Sequence, residues 1–225
     1  MINLKRLTIL SGHYGSGKTN IAVNLALEQA KLGKKVAVSD LDIVNPYFRT
    51  KDSYDLFAKN GIMLISSEYA GTNLDIPAMP QEIYSLTDDK SITGIIDVGG
   101  DDRGALALGR LVPAIKDENN YEMLMVLNMF RPLTRTTKDA LEVKYEIENA
   151  CGLKFTGIIN NSNLGAETKA KDIIDSISFS EEFSRITSIP LKLITCEKRL
   201  ENEVVSKLKS TSIPVLGMVL QKRPV

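Results

Sequence analysis

Short apolar runs alternate along the chain with longer segments of helical periodicity. Seven runs predict β-strands, at Leu7–Leu10, Val36–Val38, Ile62–Ile65, Ile92–Val98, Met123–Leu127, Phe155–Ile159 and Leu191–Ile194. Six segments predict helices, at Ile21–Leu32, Tyr47–Lys59, Ala105–Lys116, Thr137–Ala150, Ala166–Ser184 and Lys198–Lys209. Several strands are apolar at every position, which is expected where helices cover both faces of a sheet. The alternation therefore predicts an α/β fold of three layers, with helices on both faces of a mostly parallel, twisted β-sheet.

Local signals refine the boundaries of these elements. Thr136 with Asp139 fits a capping box at a helix start, and Gly33 and Gly152 stand where helix C-caps are expected. The apolar tail Ile213–Leu220 predicts an added edge strand.

Composition narrows the class of protein. The 225 residues are 43% hydrophobic and 25% charged, with a formal net charge of zero at pH 7. No linker or repeat interrupts the pattern, so we expect one domain over residues 1–225, with the proline-containing stretch 66–90 as an excursion or lid. Zero net charge argues against nucleic acid and anionic membranes as partners. We expect a cytoplasmic protein, because no signal segment or membrane-length apolar run is present and the two cysteines form no C-x-x-C.

One glycine-rich segment fits the phosphate-loop pattern G-x-x-x-x-G-K-[S/T]. It reads Gly12-His13-Tyr14-Gly15-Ser16-Gly17-Lys18-Thr19. The segment lies between a predicted strand and a helical stretch that starts at Asn20, an order that aims backbone N–H groups at a phosphate. We expect these residues and Asn20 to bind a nucleotide. Lys18 would reach the β- and γ-phosphates and Thr19 would hold Mg²⁺.

Two aspartates follow the second predicted strand. Asp40 and Asp42 lie at the carboxyl end of that strand, where ligands bind in parallel sheets. Their spacing of two residues points both side chains the same way in extended chain. Carboxylates in this position serve Mg²⁺ and an attacking water. Solvated aspartates at the start of a loop are the alternative.

A third aspartate ends the apolar strand at residues 92–98. Asp97 holds the position of a Walker B aspartate, which touches Mg²⁺ directly or through water. Gly100 follows it three residues later, as in a switch segment whose glycine N–H contacts the γ-phosphate. A plain turn at the strand end is the alternative.

Paired asparagines end a later strand. Asn160 and Asn161 follow an apolar run, and an asparagine amide there is able to pair with an adenine edge. Asparagine is also common in turns, so the alternative stays open. The chain has no N-K-x-D guanine signature, which favours ATP over GTP. Arg131 and Arg135 are weaker candidates for nucleotide contact, with solvated side chains as the alternative.

These residues resemble a known family. The stretch 11–26 is similar to the phosphate loop and first helix of the MinD/ParA superfamily, which includes CobQ/CobB-type domains and the nitrogenase iron protein. The stretches 34–42 and 97–100 resemble its next two motifs, and 157–162 resembles its adenine-binding strand. The resemblance implies that Lys18 and Asp42 act in ATP hydrolysis to ADP, with Asp42 positioning water. It also implies that Asp40 and Asp97 support Mg²⁺ and that Asn161 contacts the base.

The chain departs from the family at the start of the loop. The family usually has an extra lysine there that reaches the nucleotide of the facing subunit, and here His13 and Tyr14 stand in that region. A nucleotide-dependent homodimer therefore remains an open prediction. The resemblance predicts an ATP-dependent switch that acts on a protein client, with metalloenzyme maturation as one candidate process. The alternatives are a small-molecule kinase or CobB/dethiobiotin-synthetase-like ligase, with residues 73–77 as a substrate region, and a DNA-associated positioning ATPase.

Overall fold

A computed structural model of the chain describes residues 2–41, 51–66, 81–99, 102–208 and 212–220. Eight strands lie within these ranges and form one sheet in which every pairing is parallel. The strands are β1 (Leu7–Ser11), β2 (Lys35–Leu41), β3 (Met63–Ser66), β4 (Ile92–Val98), β5 (Tyr121–Leu127), β6 (Gly157–Asn160), β7 (Leu191–Glu197) and β8 (Val215–Met218). Their order across the sheet is β3-β2-β4-β1-β5-β6-β7-β8. All seven predicted strands are confirmed, and the tail forms the edge strand β8.

Helices connect successive strands. Within the described ranges they are α1 (Lys18–Lys31), α2 (Lys51–Lys59), α3 (Ser85–Asp88), α4 (Asp102–Gly109), α5 (Val112–Glu118), α6 (Thr137–Cys151), α7 (Ala170–Asp175), α8 (Ile177–Thr187) and α9 (Glu201–Lys207). Of the helix predicted over residues 47–59, residues 51–59 are helical and 47–50 lie outside the described residues. The predicted lid at 66–90 also lies largely outside them, at residues 67–80.

Buried side chains cover both faces of the sheet. Alternate positions of β5 illustrate this, because Met123, Met125 and Leu127 pack with α4, α5 and α6 on one face. Leu124 and Val126 pack with α1 on the other face. The three-layer α/β architecture with helices on both faces is thereby confirmed, and it explains why the strand residues are apolar at successive positions.

The single helix predicted over Ala105–Lys116 is wrong. The structure has two helices, α4 and α5, separated at Arg110 and Leu111. Pro113 lies in the first turn of α5. Proline has no N–H to donate to the carbonyl four residues earlier, so it is tolerated in a first turn and disfavoured inside a continuous helix.

The single helix predicted over Ala166–Ser184 is also wrong. A 3₁₀ turn at Gly165–Glu167 precedes α7, and Ser176 separates α7 from α8. The Ser176 hydroxyl donates to the Ile173 carbonyl over 2.6 Å and accepts from Asn160 Nδ2 over 2.9 Å. Such side-chain bonds to the preceding turn compete with helix geometry. The last predicted helix likewise begins with a 3₁₀ turn, at Lys198–Leu200.

The predicted cap positions are confirmed, but at Thr136 the Asp139 carboxylate accepts from the Thr136 hydroxyl and not from its backbone N–H as in a capping box. Thr136 Oγ1 accepts a hydrogen bond from the Asp139 backbone N–H over 3.1 Å at the start of α6. Gly152 ends that helix in the left-handed region, with φ of 75°. Gly33 has φ of 76° just after α1. Among the described helices, none combines the length and the apolar character needed to cross a membrane.

Candidate functional site

The order of the strands changes direction at β1. The chain passes from β1 through α1 to β2 on one side, whereas β5 and β6 lie on the other side of β1. In open parallel sheets ligands bind at the carboxyl ends of strands where the order reverses. The glycine-rich loop 12–17 leaves β1 at this point, and the strand ends with Asp40, Asp97 and Asn160 lie at the same edge.

The loop enters α1 through a left-handed glycine. Gly12, Gly15 and Gly17 all have positive φ, and Gly17 is the N-cap of α1 with φ of 92°. A Cβ at Gly17 would lie 2.2 Å from Asn161 Nδ2, so a side chain there would be strained in conformation and would displace the Asn161 amide. The N-cap of α1, Gly17, has no side chain to cap the first turn. The backbone N–H groups of this turn and the positive end of the helix dipole therefore suit an anion.

Lys18 is the first residue of α1 and folds back along the loop. Its Nζ donates to the carbonyls of Gly12 at 3.1 Å and His13 at 3.3 Å, and the residue is 5% exposed. The Ser16 N–H donates to the same His13 carbonyl over 3.1 Å. The ammonium group is thus held against the concave loop, where it is able to meet a phosphate oxygen.

An oxygen-rich cluster lies next to the loop. Thr19 Oγ1 donates to Asp97 Oδ2 over 2.6 Å, and Asp97 is 1% exposed. Asp40 lies directly opposite Asp97 in the register of β2 and β4 and is also buried. Hydroxyl and carboxylate oxygens are the ligands that Mg²⁺ takes, usually together with phosphate oxygens and water. The predicted residues Asp42 and Gly100 lie outside the described residues.

No all-protein metal cage accompanies this cluster in the described part of the chain. There, no group of three or more His, Cys, Asp or Glu side chains is arranged to hold a metal ion. Cys151 and Cys196 are free and buried. Burial raises the pKa of the Cys196 thiol to about 12, so this thiol is protonated at neutral pH. Neither cysteine offers a thiolate to the site.

Asn161 contacts the loop directly. Its Nδ2 donates to the Ser16 carbonyl over 2.6 Å, and its Oδ1 accepts from Thr195 Oγ1 over 2.6 Å. An amide keeps one further N–H and one lone pair for a ligand, but the residue is only 2% exposed in this arrangement. Contact with a base stays a prediction, and the observed role of Asn161 is to join the loop to β7.

Asn160 serves the fold. Its side chain bonds Ser176 Oγ and the Ser162 N–H, and the residue is fully buried.

The remaining predicted loop residues make local contacts. His13 Nδ1 lies 2.9 Å from the Tyr14 carbonyl, while Tyr14 is 63% exposed. The Asn20 carbonyl accepts a hydrogen bond from the Asn24 side chain over 2.8 Å.

The structure adds two residues that the sequence analysis missed. Asn24 pairs with both the N–H and the carbonyl of Val219, which ties α1 to the segment after β8. Asn128, directly after β5, is fully buried and accepts hydrogen bonds from two backbone N–H groups. Asn128 could have been predicted from the sequence, because it follows a strand as Asn161 does.

The two candidate arginines differ in position. Arg131 lies beside Gly15, whereas Arg135 is exposed.

Fold and site together define a P-loop nucleotide-binding protein. The family model for the CobQ/CobB/MinD/ParA nucleotide-binding domain matches residues 7–175, which is most of the chain. The chain therefore belongs to the CobQ/CobB/MinD/ParA nucleotide-binding family, as its motifs predict.

Individual relatives are similar to the chain over a short stretch of sequence or in fold. An uncharacterized ATP-binding protein of Methanocaldococcus jannaschii is 60% identical over 37 residues, which are 16% of this chain and 14% of that protein. The solved structure of the cell division protein FtsY from Thermotoga maritima has a TM-score of 0.60 and 20% identity, over 87% of this chain and 64% of that one. The signal recognition particle 54 kDa protein from Aeropyrum pernix, solved with GDP, has a TM-score of 0.51 and 15% identity, over 85% and 41%. At such identities the two structures show the fold alone. The chain thus spans less than two thirds of each of these relatives.

The position of Asn161 gives a prediction about the loop itself. Replacing Asn161 with Ala removes the bond to Ser16 and leaves Thr195 without its acceptor. We expect the free energy of unfolding without nucleotide to fall by about 1–3 kcal/mol. Urea denaturation followed by circular dichroism measures this change. The control is Asn202→Ala at an exposed position of α9, which should change stability by less than about 0.5 kcal/mol. Equal stability of both variants would contradict the proposed link between loop and sheet.

Proposed function

We propose that this protein binds and hydrolyses Mg·ATP and uses the nucleotide state to switch its contacts with a protein client. The observation that carries the proposal is the junction of loop and sheet, where Thr19 bonds Asp97 beside the loop that holds Lys18. Family membership supports nucleotide binding, and the hydrolysis step rests on the arrangement of polar groups around that loop.

The phosphate chain would lie in the loop from Gly12 to Thr19. Backbone N–H groups and the N-terminus of α1 face the anion, and Lys18 adds a positive charge against the β- and γ-phosphates. The buried position of Lys18 strengthens this contact, because charges interact more strongly away from bulk water. Asn20, in the first turn of the same helix, completes the predicted binding set.

The residues around Thr19 suit a bound Mg²⁺. Thr19, Asp97 and Asp40 would hold the ion with the phosphates, consistent with the short bond between Thr19 and Asp97. When bound, the ion neutralises charge on the phosphate oxygens. In this proposal Asp42 orients the attacking water as general base, from its position two residues after Asp40.

The region after Asp97 is suited to transmit the nucleotide state. A Cβ at Gly104 of α4 would lie 2.8 Å from the Gly99 nitrogen and 2.9 Å from the Leu41 carbonyl. Helix α4 therefore packs backbone to backbone against the ends of β2 and β4. In this proposal Gly100 contacts the γ-phosphate and is released from it after hydrolysis. The resulting movement of the segment after Asp97 would reach α4 through the packing of Gly104 against Gly99.

Exposed apolar side chains support a protein client more than a small substrate. Tyr14 is 63%, Leu133 56% and Leu164 47% exposed, and they follow β1, β5 and β6 at the carboxyl edge of the sheet. Exposed apolar side chains at one edge of a sheet suit contact with another protein. The same edge would serve a nucleotide-dependent homodimer. Residues 73–77, the substrate region of the kinase or ligase alternative, lie outside the described residues.

The first prediction on function concerns Lys18. Lys18→Ala should weaken Mg·ATP binding by about 10²-fold, since a charge-assisted hydrogen bond to phosphate is lost. Isothermal titration calorimetry measures the affinity. Lys31→Ala, at the exposed end of the same helix, is the matched control and should bind as the wild type does. Wild-type affinity of Lys18→Ala would reject the phosphate-loop assignment.

Base preference is the next prediction. ATP should displace labelled ATP at several-fold lower concentration than GTP, because Asn161 retains one donor and one acceptor for an adenine edge and the chain lacks a guanine signature. Asn161→Ala should reduce this ratio. If the variant loses affinity for ATP and GTP equally, Asn161 only positions the loop. GTP competing as well as ATP in the wild type would reject adenine preference.

A third prediction separates hydrolysis from binding. Asp42→Ala should retain Mg·ATP binding, since the loop and Lys18 are unchanged, and lose about 10²–10⁴ in hydrolysis rate. The control is Asp117→Ala, an exposed position at the end of α5. Phosphate release measures the rate, and light scattering after size exclusion with ATP and then ADP measures assembly. Undiminished hydrolysis would reject Asp42 as the water-positioning residue, and a monomer with ATP would reject the homodimer.

A further inference from the structure

A hydrogen-bonded loop follows β5 and reaches the phosphate loop. Asn128 organises it, since its carbonyl accepts from Thr134 Oγ1 over 2.6 Å and from the Arg131 N–H over 3.0 Å. Its Oδ1 accepts from the N–H groups of Phe130 at 3.0 Å and Asn163 at 3.3 Å. The bonds from Phe130, Arg131 and Thr134 hold the backbone on both sides of Arg131, and the bond from Asn163 joins this loop to the segment after β6.

Arg131 lies over the middle of the phosphate loop. The Arg131 Cζ and Nε atoms are each 3.4 Å, and Nη1 is 3.8 Å, from the point where a Cβ at Gly15 would stand. Among the described residues, the buried Nε–H of Arg131 has no hydrogen-bond partner. Leaving a buried donor of a charged group unpaired is unfavourable, which points to an acceptor supplied by a ligand.

We propose that Arg131 is a second phosphate-binding cation, supplied by the same chain and facing the nucleotide across Gly15. This inference rests on the proposed function, because it takes the phosphates to lie in the loop. Mg·ATP keeps a net negative charge that Lys18 alone does not neutralise. Arginine stays charged at all physiological pH values and presents a planar set of N–H donors that matches phosphate oxygens. Arg131 is therefore a binding residue for the phosphate chain.

A packing role for Arg131 makes a different prediction from a charge role. The side chain covers Gly15, so its alkyl part alone would help to hold the loop. Methionine retains most of that apolar length without the charge, whereas lysine retains the charge without the planar fork. Arg135 lies four residues later, is exposed and serves as the matched control.

The experiment compares Arg131→Met, Arg131→Lys and Arg135→Met with the wild type by isothermal titration calorimetry with Mg·ATP and Mg·ADP. We expect Arg131→Met to lose about 10- to 100-fold in affinity for ATP, the effect of one charged hydrogen-bonding group. Arg131→Lys should recover part of it, and Arg135→Met should match the wild type. The affinity of Arg131→Met should also depend less steeply on salt concentration, while its urea midpoint without nucleotide stays unchanged.

The outcomes separate this inference from the proposed function. If Lys18→Ala weakens binding and Arg131→Met does not, the protein binds nucleotide as proposed and Arg131 is not a phosphate ligand. If both Arg131 variants lose affinity equally and their urea midpoints without nucleotide fall, Arg131 acts by packing and the inference is wrong. If the wild type binds neither nucleotide, both proposals fail.

Discussion

A phosphate loop has to be rigid while its backbone N–H groups remain turned toward the ligand. Because these N–H groups are reserved for the ligand, side chains have to hold the loop in place. Lys18 bonds two loop carbonyls, Asn161 bonds the Ser16 carbonyl, and Asp97 accepts from Thr19. All three use carbonyl or hydroxyl oxygens of the loop and leave the amide side of the turn for an anion. The loop's shape thus depends on strands distant in sequence as well as on its glycines.

The sequence predicted strands and helices well where the pattern of apolar and polar residues is clear. The strand Ile92–Val98 has the same bounds in the structure, and the phosphate loop begins after β1 as expected. The helix breaks near Leu111 and Ser176 were missed for different reasons. Pro113 is a readable signal for the first break. The second depends on Asn160, which reaches Ser176 only because β6 lies beneath that junction.

The site was predictable where one motif holds several residues in a short stretch. Contacts between residues that are distant in sequence were harder to predict, because they depend on the order of the strands in the sheet. Asn161 bonds Ser16 across 145 residues, and Arg131 lies over Gly15 from the loop that follows β5. The Arg131 contact requires β5 to pair with β1, and the Asn161 contact requires β6 to lie next to β5, an order that the alternation of strands and helices does not specify.

At the carboxyl edge of the sheet, the polar side chains on the two sides of β1 differ in type. Strands β2 and β4 on one side carry Asp40 and Asp97, and β5 and β6 on the other side are followed or ended by Asn128 and Asn160. Carboxylates beside Thr19 favour a cation there. On the other side a carboxylate would repel phosphate and would lack the N–H that Asn161 donates to the loop. Amides hold the loops together there without adding negative charge, which leaves that side suited to a nucleotide anion and to the charge of an arginine.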